Sequence, residues 1–123
     1  MAQEITISIS LSAYKPSVMS SPVGRAVNGL PFTMTGNLLA EGVILIGTAP
    51  TLIPVGQITS PHFAFFKNVD AANYITLRNG SGGADLPQLY PGEAALIPLL
   101  TTAMIYGVAN LASALLEYLI LSL

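Results

Sequence analysis

Residues 62–80 read HFAFFKNVDAANYITLRNG, and the two flanks of this stretch differ in kind from its middle. Phe63 to Lys67 and Tyr74 to Arg78 are rich in aromatic and β-branched residues, which suit a pleated, half-buried surface. Between them, Asn68-Val69-Asp70-Ala71-Ala72-Asn73 supplies the Asn and Asp side chains that turn a chain by bonding their own backbone. The pattern predicts a β-hairpin. It also sets the expectation for the rest of the chain, which is all-β.

Upstream of the hairpin, residues 4–12 alternate without a break. Ile5, Ile7, Ile9 and Leu11 point one way, and Glu4, Thr6, Ser8, Ser10 and Ser12 the other, as in a half-buried strand. A strand with a Ser/Thr face also suits an arm that adds itself to a neighbouring subunit. From Ala13 to Leu30 no period holds, and the stretch reads as a long loop or extended strap, carrying Lys15 and Arg25. Phe32 to Thr35 is a short strand closed by Gly36-Asn37. Gly42 to Gly47 (GVILIG) is a continuous apolar run, consistent with a strand buried on both faces. Leu52 to Val55 follows, and Pro54 argues that it lies at an edge or a bulge.

Downstream, Asn79 to Asp85 is glycine-rich. A phosphate-binding loop would lead into a helix N-terminus and usually a Lys, but here strand-like Leu86 to Tyr90 follows, so the loop reads as a turn. Pro91-Gly92-Glu93 is a turn before strands at Ala94 to Leu99 and Met104 to Ala109. After a turn at Asn110 to Ala114, Leu115 to Leu121 closes the chain. Leu115, Glu117, Leu119 and Leu121 share one face of this strand, with Leu116, Tyr118 and Ile120 on the other, and both faces are expected to be buried. Helix is the weaker reading for Ala112 to Leu121. Strands recurring every 8 to 12 residues with turns between them are the rhythm of an antiparallel β-sandwich or jelly roll. The expected organisation is an N-terminal strand and strap over 1–30 and a single sandwich domain over 31–123.

The totals narrow the function. Of 123 residues, 52% are hydrophobic and only 8% charged, where an ordinary domain carries roughly a quarter charged residues. Such a surface is at ease when other subunits cover it. Four basic residues and a net charge of −2 supply no phosphate-binding stripe, which argues against a nucleic-acid partner. With no cysteine, disulfides and thiolate metal sites are excluded. The N-terminus lacks a basic cluster and an apolar core and does not read as a signal peptide.

No catalytic constellation is visible. His62 is the only histidine, so neither a His cluster for a metal nor a second base is present. A lone His beside Phe63 reads as a packed ring. Asp70, Asp85 and Glu93 fall in loops, where carboxylates can gather on calcium, but without short Asp-x-Asp spacing. No cofactor, metal ligand or catalytic residue is assigned, and an enzyme is not expected. Ala94 to Leu116 contains no charge and is long enough to span a bilayer as a helix. Pro98, Gly107 and Asn110 inside it speak against that, so a membrane protein is a rival reading only.

Three segments carry a resemblance. Phe65 to Ile75 (FFKNVDAANYI) is similar to the "F-x-N-L-D-A-T-N-Y-V" signature of small structural proteins encoded among tailed-phage virion genes. Leu89 to Ala95 (LYPGEAA) resembles that family's "L-x-P-G-E-x-A" turn. Tyr106 to Asn110 followed by Leu115 to Ile120 resembles its "Y-A-x-A-N … L-E-Y-L-I-L" ending, and Thr33 to Gly36 and Ile46 to Thr48 match its early strands. The likeness covers residues 31–123, departing at Val69 and Ala72, where Leu and Thr are more usual, and at the apolar end Ser122-Leu123.

The resemblance implies a virion protein, expected on the capsid surface as a homotrimeric decoration (cement) protein. Its partners would be the major capsid protein and further copies of itself. On that reading Ile5, Ile7, Ile9, Lys15 and Arg25 are the expected capsid contacts, and Phe65, Tyr106, Tyr118 and Leu119 the expected oligomer interface. The rivals are a tail, baseplate or head-fibre-base component and, from another class, a carbohydrate-binding sandwich using Tyr14 and Tyr90.

Overall fold

The computed structural model describes residues 5–18, 20–32, 39–55, 58, 61–80, 82, 85–98 and 104–122. The described residues are all-β, with ten strands and only antiparallel pairings. The chain divides into two compact units, Met1–Thr35 and Gly36–Leu123.

The first unit is a two-stranded ribbon of β1 (Ile5–Ala13) and β2 (Val23–Phe32). Much of the stretch expected to be a strap is therefore a strand. Its period is hidden by an irregularity: Ile7 faces Leu30 while Ile9 faces Val27, so Ser8 stands against both Asn28 and Gly29. One class of bulge places a glycine at positive φ. Here Gly29 stands at +63°, and its N–H donates to Ser8 Oγ at 3.0 Å.

The second unit holds eight strands in two four-stranded sheets. Sheet I has the order β3 (Leu39–Ile46), β10 (Ala114–Ser122), β5 (Pro61–Asn68), β8 (Ala94–Pro98). Sheet II has the order β4 (Thr51–Leu52), β9 (Ile105–Ala109), β6 (Ile75–Asn79), β7 (Asp85–Leu89). Among the eight strands of this unit, the only consecutive pair that lies side by side is β6 and β7, and every other connection between them crosses from one sheet to the other. The two sheets form a sandwich. Ile46, Ala64, Phe66, Ala114, Leu116 and Ile120 of sheet I share one buried core with Ile75, Leu77, Leu89, Ile105 and Ala109 of sheet II.

This arrangement corrects the reading of residues 62–80. β5 and β6 do not form a hairpin: they lie in different sheets, and residues 69–74 are the corner between them. Two further expectations change. β3 is an edge strand with Val43 and Leu45 each 59% exposed, not a strand buried on both faces. β10 is central, yet only its Ala114, Leu116, Ile120 and Ser122 face is buried, while Leu115 and Glu117 are exposed. Ala94 to Leu116 is not a membrane helix, because 94–98 and 105–109 are strands in opposite sheets. Among the described residues no helix is long and apolar enough to cross a membrane. Pro54 lies just beyond β4, which is indeed an edge strand of two residues. Residues 33–36 and part of the glycine-rich loop lie outside the described residues.

Candidate interaction site

The corner that leads from β5 to β6 is built on Asn68, which is fully buried. Each of its polar groups has a partner. Its Nδ2 donates to Asn73 O and Leu89 O, both at 2.8 Å, and its Oδ1 accepts from Asp70 N at 2.9 Å. Its backbone N–H donates to Glu93 O, and its carbonyl accepts from Gly92 N, each at 2.9 Å. Asp70 tightens the loop by accepting from Asn73 N at 2.8 Å and Ala72 N at 3.0 Å. Those N–H groups of Asn73 and Ala72 hold its carboxyl below the ordinary value, because they favour the ionised form.

Two more segments close on the same corner. Tyr74 and Asn110 are joined twice, by Tyr74 N to Asn110 Oδ1 at 3.1 Å and Asn110 N to Tyr74 O at 3.2 Å. Val69 N donates to Leu115 O at 3.1 Å. In the turn after β7, Glu93 Oε1 accepts from Tyr90 N at 2.8 Å, and Gly92 makes the tight bend at φ +86°. The Tyr74 and Tyr90 rings lie 5.1 Å apart. Of the three segments singled out in the sequence, the first is thus hydrogen-bonded to each of the other two. Their polar residues shape a corner: the Asp70 and Glu93 carboxylates are engaged in capping backbone, and no group of three metal-ligating side chains occurs among the described residues. His62 stacks edge-on against Phe63 with centroids 4.6 Å apart.

Sheet I presents a different kind of surface on the side away from the core. In antiparallel pairs, residues directly opposite share a face. The register therefore sets Val43, Glu117, Lys67 and Ala94 in one row and Glu41, Leu119, Phe65 and Leu96 in the next. Leu45 and Leu115 form a third pair. Leu39, Val43, Leu45 and Leu115 are exposed, and Phe65, Leu96 and Leu119 are half-buried. It is an apolar face carrying two carboxylates and one ammonium.

The residues expected at an oligomer interface do not form one surface. Phe65 and Leu119 are cross-strand partners on the outer face of sheet I. Tyr118, their neighbour in sequence, turns inward and packs against the core. Tyr106 is opposite Leu52 and Arg78 on sheet II. Val43 and Leu45 were missed by sequence reasoning, since an apolar run does not reveal how many strands will flank it.

The expected capsid contacts lie on the ribbon. Ile7, Ile9 and Leu11 share a face with Leu30, Val27 and Arg25, their partners across the strands. Ile9 and Val27 are exposed, Leu11 is 75% exposed, and Ile5 is buried. Arg25 Nη1 donates to Gly24 O at 2.8 Å, and Lys15 O accepts from Val18 N at 2.9 Å in the turn after β1. The opposite face carries Thr6, Ser10 and Ser12 against Pro31, Ala26 and Gly24. Tyr14 and Tyr90 are 53% and 52% exposed. No family model matches the chain, and neither the curated proteins nor the solved structures include a match to it.

Proposed function

We propose that this chain is a structural component of a tailed-phage virion, a decoration protein that binds the outside of the major capsid protein shell and stiffens it. The observation that carries the reading is the convergence of the three resembling segments on one hydrogen-bonded corner of the sandwich. That convergence explains why non-catalytic residues at distant positions would recur together: each is needed to turn the chain from one sheet to the other.

Two features support it. The strand order β3-β10-β5-β8 facing β4-β9-β6-β7 reads as a jelly roll, the double-sheet architecture frequent in viral capsid and lectin domains. A ribbon with one apolar face and a sheet with an apolar outer face are the surfaces a cement needs. Burying them across subunit boundaries yields about 25 cal/mol per Å² before association costs, and repetition over a symmetric shell adds avidity.

Imaging of purified particles by cryo-electron microscopy tests the proposal. Density for this fold on the outer capsid surface is the expected result. Density confined to the tail or neck would move the role to the tail or baseplate, and absence from the particle would overturn the virion reading.

A further inference from the structure

Four strands end the two sheets, and three of them are guarded. β4 has two residues and sits between Pro50 and Pro54; β7 contains Pro87; β8 has five residues and ends on Pro98. Proline and short length are the usual devices that stop an edge from pairing further. β3 has neither. It runs eight residues, LAEGVILI, with no proline and Glu41 as its only charge. Among the described residues its one strand neighbour is β10, and Leu39, Glu41, Gly42, Val43 and Leu45 are all exposed.

A row of exposed backbone donors and acceptors takes an extended strand as its partner. We propose that β3 pairs antiparallel with β3 of a second copy about a two-fold axis at Val43, joining two copies of sheet I into one continuous sheet. The strand's own sequence identifies that occupant. With Val43 on the axis, Val43 meets Val43 of the second copy and Glu41 meets Leu45, so the Val43, Glu117, Lys67 and Ala94 rows of the two copies join through an apolar pair. The two Glu41 carboxylates stand four positions apart along the strand, about 13 Å at strand spacing, so no like charges face each other. Centring the axis on Gly42 instead would bring those carboxylates within about 7 Å and lose the Val43 pair. An isologous contact of this kind closes on itself and stops at two copies.

The proposal goes beyond the virion reading and is tested in solution without capsids, on the full chain. Sedimentation should show a concentration-dependent dimer. Val43→Lys places an ammonium on each side of the axis and should give a monomer with an unchanged circular dichroism spectrum, because Val43 is 59% exposed. The chain has no cysteine, so Val43→Cys introduces a single thiol. Opposed Cα atoms in an antiparallel pair lie about 4.5–5.5 Å apart, within disulfide reach. Mild oxidation should convert Val43→Cys to a covalent dimer well ahead of Leu111→Cys, an 83% exposed control. A wild-type chain that stays monomeric at every concentration, a Val43→Lys variant that associates like wild type, or equal crosslinking at 43 and 111 would each overturn the proposal.

Discussion

The side-chain amide of Asn68, at the end of β5 in sheet I, donates a 2.8 Å hydrogen bond to the carbonyl of Leu89, at the end of β7 in sheet II. One fully buried side chain thus ties together two sheets and, through Asn73 O and Asp70 N, the loop that joins them. Asn68→Leu keeps much of the volume but strands two carbonyls and an N–H. A buried polar group left unpaired costs about 1–3 kcal/mol; the bond to Leu89 O is buried and those of Asn73 O and Asp70 N are part-buried, so a loss of about 1–3 kcal/mol is expected, read as a lower urea midpoint. Asn68→Asp should be worse still, because it turns a carboxylate oxygen toward those carbonyls. An unchanged midpoint for either variant would remove Asn68 from this role.

Asp70 gives the corner an acid sensitivity. Backbone N–H groups, Asn73 first and Ala72 second, hold its carboxyl below the ordinary 3.8. A folded-state value below the unfolded one means that the stabilisation is fully present above the unfolded value. It is lost as pH falls from there through the folded value. Thermal melts taken from neutral pH down through the carboxylate range should therefore show a steeper acid loss for wild type than for Asp70→Asn. Parallel acid limbs would show that the capping bonds do not couple to folding.

Where β9 passes β3 the core leaves no room for another methyl group. A Cβ built on Gly107 would lie 3.1 Å from Cδ1 of Ile46, 3.2 Å from its Cγ2 and 3.3 Å from its Cγ1. Ile46 is fully buried and cannot step aside freely, and overpacking of this sort costs about 1–3 kcal/mol. Gly107→Ala should destabilise the sandwich. Adding Ile46→Val removes Cδ1, so the double variant should be more stable than the sum of the two single losses, a coupling read from a double-mutant cycle. Strict additivity would mean the two positions do not press on each other.

Much of the architecture was legible because its signals are local. The alternation in residues 115–121 sorts Leu116 and Ile120 onto one face and Leu115 and Glu117 onto the other, although both faces were expected to be buried and only the first is. The turns expected at 91–93 and 110–114 fell where strands end, except that Ala114 is already the first residue of β10. What was not legible is which strands become neighbours. A tight Asn/Asp connection has the same composition whether it folds a strand back beside itself or carries it to another sheet, so Asn68 passed for a turn residue although it is a buried cross-brace. GVILIG had the same weakness, since apolar residues at an edge and in a sheet centre read alike. β2 was lost because Gly24 and the bulge at Gly29 interrupt its alternation. Of the candidate site, Phe65 and Leu119 were chosen together and do lie opposite each other, while Tyr106 and Tyr118 point to other faces, a matter of register that composition does not carry.

The ribbon and the sandwich should separate cleanly by deletion. Every member of the buried core cluster lies between Ile46 and Ile120, and Ile5 is the one fully buried residue among those described in the ribbon. A cut after Leu30 would leave the end of β2, which runs to Phe32, so the boundary belongs after Thr35. Residues 36–123 alone should fold and unfold cooperatively, with a melting temperature near that of the full chain. A two-stranded ribbon is marginal by itself in water, and its apolar stripe of Ile7, Ile9, Leu11, Val27 and Leu30 has no member in the buried core cluster. On the proposed function, the truncated protein should therefore fail to bind undecorated capsids that the full chain coats, measured by co-sedimentation. Ile9→Asp and Leu11→Asp in the full chain should weaken coating without lowering the melting temperature. Undiminished capsid binding by residues 36–123 would take the clamp away from the ribbon and leave the outer face of sheet I as the surface that meets the shell.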